Sequence, residues 1–134
     1  MKVPNAAELA AALRRCVTGL AAEEAAINLL AGHARWLRRA DFLRFVDFST
    51  EPNLTGSDEP LAVIHWDKLV RDIGSSALPG ARSEITVLTV AASLAYGTPI
   101  NLRDLVGLDE FNTELVLNAI AHATGKPHLA SRDR

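Results

Sequence analysis

Ser83 to Tyr96, SEITVLTVAASLAY, is the least polar helix-compatible stretch of the chain, and its reading decides the fold. Apolar side chains fall at Ile85, Val87, Leu88, Val90, Leu94 and Tyr96, with Ala91, Ala92 and Ala95 between them. On a 3.6-residue period they cover almost the whole circumference, and a helix that is apolar all round is a buried one. Ile85, Val87 and Val90 also suit a strand. The run lacks strict alternation, however, and its length predicts a helix. Ser83 is the expected N-cap, Glu84 stands where the helix dipole favours an anion, and Gly97-Thr98-Pro99 provides a C′ glycine followed by a breaker.

Outward from this helix, the sequence predicts one mainly α domain over residues 1–134. The expected architecture is a compact bundle of five or six helices around a buried central helix at about 83–96, with at most one short two-stranded β element. A chain of 134 residues is long enough to bury one core without disulfides. The capping-box pair Asn5 and Glu8 opens a first helix at about Ala6 to Thr18, with Leu9, Leu13, Cys16, Val17 and Leu20 on one stripe. On that stripe Cys16 reads as a small buried residue. A second helix follows from Ala21 to Ala31, closed by Gly32. Their many alanines make these two helices the expected self-association surface, with Glu8 and Arg15 pairing across a two-fold axis.

Polar, turn-rich STEPNLTGSDEP marks an internal loop at about 49–60. Residues 1–48 carry seven Lys/Arg against five acids and residues 49–72 two against five, so the loop divides a basic half from an acidic one. Neither half is large enough to stand comfortably alone, which keeps the loop inside one domain. LAVI, Leu61 to Ile64, reads as a strand that would pair with Pro99 to Leu102. Two helical turns are expected at Asp67 to Ile73 and a short turn at Asn101 to Val106. Asp109 caps a last helix whose inward stripe is Phe111, Leu115, Val116, Ala119, Ile120 and Ala123, ended by Gly125 and Pro127. The tail at about 126–134 is expected to fray.

The chemically distinctive segment is His33 to Phe48, HARWLRRADFLRFVDF, which holds four of the seven aromatic residues among four arginines. Its structural reading is a short helix at about Arg39 to Val46, packed through its aromatic side with the arginines in water. Its functional reading makes Arg35, Trp36, Arg38, Arg39, Phe42 and Arg44 a candidate interaction surface, for a protein anchor or for phosphates and bases. Asp41 and Asp47 offer the arginines local partners, which favours the structural reading.

Other motifs fall short. GSSALPGARS, Gly74 to Ser83, has five residues between its glycines and no Lys-Ser/Thr after the second, unlike a phosphate-binding loop. Leu102 to Ile120 has the outline of a helix-turn-helix, but Arg103 and Thr113 occupy positions that want a small and an apolar residue. Asp109, Glu110 and Glu114 would also face phosphates with the wrong charge. His33, His65, His122 and His128 lack zinc-ligand spacing, although Asn118 and His122 share a helical face. No catalytic residue, metal or cofactor is expected.

A formal charge of −2 gives no global pull towards nucleic acid or membrane. The longest uncharged run, Ile85 to Leu102, is broken by Gly97, Pro99 and Asn101 and is too short to span a bilayer. The absence of an apolar h-region near the N-terminus and a single cysteine point to the cytoplasm. The expected function is a non-catalytic intracellular protein-interaction domain whose partner is an unknown protein or itself, as a homodimer. Nucleic-acid binding through residues 35–45 is the alternative, and an enzyme whose site the sequence does not display comes third.

Overall fold

The computed structural model describes residues 3–50 and 59–129. Among the described residues there are six α-helices: α1 (Ala6–Val17), α2 (Ala21–His33), α3 (Ala40–Leu43), α4 (Trp66–Gly74), α5 (Arg82–Tyr96) and α6 (Glu110–Ala123). Strands β1 (Val46–Ser49) and β2 (Leu61–Ile64) form a small antiparallel sheet. Short 3-10 turns occupy Trp36–Arg38, Leu102–Leu105 and Pro127–Leu129. The protein is thus a mainly α bundle with one short β element. Most of the expected loop, 51–58, and the end of the expected tail, 130–134, lie outside the described residues.

Local chemistry sets the helix ends. The Asn5 side chain accepts from the Glu8 N–H at 2.8 Å while the Glu8 carboxylate accepts from the Asn5 N–H at 3.0 Å, closing the capping box at α1. Asp109 accepts from the Asn112 N–H at 2.8 Å and starts α6. Gly97, at φ 83°, ends α5 in the left-handed conformation that glycine tolerates best. The N-cap of α5 differs from expectation: it is Ala81, which has no capping side chain, and the Glu84 carboxylate accepts from the Ala81 N–H at 3.0 Å.

Helix α2 packs against α1, α5 and α6. It does not stop at Gly32 but runs on to His33, with Ala34 left-handed beyond it. Gly32 serves close approach: a Cβ there would lie 2.8 Å from Leu115 Cδ2 of α6. Arg35 and Trp36, just past α2, meet Glu84 in the first turn of α5, so α5 runs antiparallel to α2. The Gly32–Leu115 approach and a His122–Glu24 contact make α6 antiparallel to α2 as well. The core that results takes in Leu9, Leu13, Leu29, Leu30, Leu69, Val87 and Leu88.

Other expectations need correcting. β2 pairs with β1, in the register Val46↔Ile64 to Ser49↔Leu61, and not with Pro99–Leu102. The helix expected at Arg39 to Val46 shrinks to Ala40–Leu43, because the chain must extend at Val46 to meet β2. β2 in turn packs on α1, burying Ala62 and Ile64. Cys16 is exposed, since the buried face of α1 is set by Leu9, Ala12 and Leu13. Phe111 and Ile120 are exposed too, because α6 turns Asn112, Val116 and Ala119 inward.

Leu30 is fully buried on α2. Leu30→Ala is expected to cost about 2–5 kcal/mol, the usual range for such a truncation in a core. Urea unfolding with a lowered midpoint and an unchanged slope would show it.

His33, at the end of α2, is also buried, and neither its Nδ1 nor the buried Asn112 Oδ1 has a hydrogen-bond partner among the described residues. Burial pushes the His33 pKa below its ordinary value of 6.5, against the pull of Glu84 and Asp109 and with the push of Arg35. A depressed histidine leaves stability untouched above the unfolded pKa. As pH falls below about 6.5, the unfolded chain takes up the proton first and stability is lost until the lower folded pKa is passed. Relative to a His33→Gln variant, the wild type should lose urea resistance between about pH 7.5 and pH 5.5. A difference that does not change over that interval would contradict a neutral, buried His33.

Candidate functional site

The segment singled out by its arginines and aromatics turns inward. Trp36 and Phe42 are both 0% exposed, with ring centroids 6.1 Å apart, and Phe45 is buried beside them. The Trp36 indole N–H donates to the Glu84 carbonyl at 2.9 Å. The Arg39 guanidinium carbon lies over the Trp36 ring, 4.2 Å from its centroid, and the side chain donates to both Asp41 carboxylate oxygens at 2.9 and 2.6 Å and to the Pro79 carbonyl. Arg35 pairs with Glu84 at 3.2 Å. Arg44 donates to the Asp41 carbonyl and sits 5.5 Å from the Phe45 ring. Only Arg38 of the four is exposed with no hydrogen-bond or ion-pair partner among the described residues.

These contacts describe a clamp that ties residues 35–45 to the start of α5. The Arg39 guanidinium holds the Asp41 carboxyl below its usual range, chiefly through its hydrogen bonds. Glu84 is lowered first by the Ala81 N–H it accepts from, then by Arg35 and Arg39. Of the six candidate surface residues, therefore, Trp36 and Phe42 belong to the core and cannot meet a partner in the folded chain. Arg35 and Arg39 have their charge matched within the chain.

A second, polar cluster joins α2 to α6. His122 Nε2 lies 3.1 Å from Glu24 Oε1, and Glu24 Oε2 accepts from the Gly19 N–H at 2.9 Å. Those contacts hold the Glu24 carboxyl below its ordinary value, the Gly19 N–H being the larger influence. Beside the pair is a cleft of about 260 Å³ lined by Asn28, Leu29, Leu115, Asn118 and His122. Arg14 reaches over to Asn28 Oδ1 at 2.9 Å. The spacing of Asn118 and His122 was visible in sequence; Glu24, ninety-eight positions away from His122, was not. Among the described residues no group of three or more His, Cys, Asp or Glu side chains comes together as a metal site would need. A carboxylate–imidazole pair with no hydroxyl or thiol among the cleft residues fits a tie between two helices better than nucleophilic chemistry.

The third feature is apolar, and the sequence had placed two of its members, Phe111 and Ile120, on the inward stripe of the last helix. Leu102, Val106, Phe111, Leu117 and Ile120 are exposed, Val106 to 79% and Leu117 to 58%, and Tyr96 and Leu129 join them. On α6 the exposed positions Glu110, Thr113, Leu117, Ile120 and Thr124 recur at alternating three- and four-residue steps, which places them on one stripe. Beyond the bundle-facing side, α6 thus has an outer stripe with Leu117 and Ile120 at its middle, which no element among the described residues covers.

No family model, curated protein or solved structure matches the chain. Among the described residues no helix is long and apolar enough to cross a membrane.

Arg39→Lys is expected to keep the charge but lose the two-point grip on Asp41 and the guanidinium contact with the Trp36 ring, at about 1–2 kcal/mol of stability. Chemical denaturation measures it, and a variant as stable as the wild type would show that the clamp contributes little.

Proposed function

We propose that the chain is a non-catalytic protein-interaction domain working through the outer face of α6 and the 97–109 connection. The carrying observation is the set of large apolar side chains left in water there, Leu102, Val106, Phe111 and Leu117 above all. A small domain with enough length to bury its apolar residues gains by burying these as well, and large apolar side chains left in water are a common mark of a protein contact. Acidic Glu110 and Glu114 beside them suit a protein partner and repel phosphates. The nucleic-acid alternative is weakened by the engagement of Arg35 with Glu84 and of Arg39 with Asp41. Exposed, unpaired Cys16 suits a reducing compartment, and this reading puts the protein in the cytoplasm.

The test joins two measurements on the wild type and a Val106→Glu/Leu117→Glu variant: sedimentation of the purified chain, and recovery of proteins bound to it from an extract of its native cells. Association should be lost in the variant while thermal unfolding stays within a few degrees, because both positions are exposed. A wild type that associates with nothing in either measurement overturns the interaction reading. Salt-sensitive nucleic-acid binding that weakens on changing Arg38 and Arg44 to Gln would favour the alternative.

A further inference from the structure

We propose that the occupant of the outer α6 face is a second copy of this chain, docked as a symmetric antiparallel α6–α6 pair; this rests on the interaction reading above. Three observations lead there. First, the exposed stripe Glu110, Thr113, Leu117, Ile120, Thr124 has the alternating spacing of a helix-pairing seam. Its two apolar members lie at the middle and its polar members at the ends.

Second, the stripe is complementary to itself in one orientation. With a two-fold axis between Leu117 and Ile120, Leu117 of one copy packs on Ile120 of the other, Thr113 meets Thr124 at the C-cap, and Glu110 faces the C-terminal end of the other helix, just past which Lys126 lies. Every contact is then made twice, as an isologous interface requires. A parallel pairing would set Glu110 against Glu110 and Lys126 against Lys126.

Third, the charges are sorted along the helix. Asp109, Glu110 and Glu114 are exposed at its N-terminal half, whereas Lys126 is exposed just past its C-terminus, near the Thr124 carbonyl. Antiparallel packing sets the acidic half of each helix against the basic end of the other, and opposes their dipoles favourably. The alternative surface on α1 and α2 is less available, because Glu8 is used in its own helix cap and Arg15 holds the Pro60 carbonyl at 2.7 Å and Glu59. One seam of this length is small for a stable interface, so the dimer should dissociate on dilution into the micromolar range.

Sedimentation velocity on the purified full chain, over a dilution series, tests the assignment. The wild type should pass from dimer to monomer, and Leu117→Glu should weaken the dimer at least tenfold. Thr113→Arg, at an exposed polar position, is the second variant should Leu117→Glu disturb folding. Glu110→Lys should weaken association by about twofold to fivefold and Glu110→Lys/Lys126→Glu should restore it, the range expected of one exposed ion pair. For orientation, Glu110→Cys and Lys126→Cys proteins, each also carrying Cys16→Ser, should form a disulfide with each other when mixed. Crosslinking of Glu110→Cys only with itself overturns the antiparallel arrangement. A dimer indifferent to Leu117→Glu and Thr113→Arg overturns the surface. A wild type monomeric throughout overturns the homodimer; if it still recovers a protein from extract through Val106 and Leu117, the interaction reading survives with a foreign partner.

Discussion

Everything in this fold depends on covering α2. Ala25, Ala26, Ile27, Leu29, Leu30 and His33 are all buried, which leaves the helix exposed only along a narrow line through Ala21, Asn28 and Gly32. One neighbour cannot cover so much circumference, so α1, α5 and α6 pack around it. Small residues make this feasible: alanines along α2 and glycine at position 32 let the neighbouring helices come close, and Leu115 fills the space above Gly32. The apolar surface removed from water is the driving term, and the polar ties at either end set direction more than stability.

Those ties sit at opposite ends of α2. At its C-terminal end, Trp36, Arg35 and Arg39 hold Glu84, and through it the start of α5. At its N-terminal end, Glu24 holds His122 in the last turn of α6 and the Gly19 N–H in the preceding turn. Chemistry that looks functional in sequence, arginines among aromatics, is spent on assembling the bundle. Apolar residues of the last helix that look structural in sequence, Phe111 and Ile120, are exposed instead.

The helices themselves were legible because their signals are local. Asn5 with Glu8, Asp109, Gly97 and the dense apolar run at 85–95 act within a few residues, and the observed α1, α5 and α6 follow them closely. The strand at Leu61–Ile64 was legible too, but its partner was not, because pairing depends on which extended segment the packed helices bring alongside. Gly32 was misleading for the same reason: glycine ends many helices, yet here it answers to a side chain eighty-three positions away.

By itself the sequence determined the class of fold, one mainly α bundle with a short β element, because periodicity, capping and length are properties of contiguous residues. For residues 33–48 it offered two readings, a packed aromatic side and an interaction surface, and the burial of Trp36 and Phe42 was decided only by the fold. Only the tertiary structure decided which apolar stripe of α6 is covered. Phe111, Val116, Leu117 and Ile120 are chemically alike, and burial goes to Val116 because α2 occupies that side, while among the described residues no element covers Leu117.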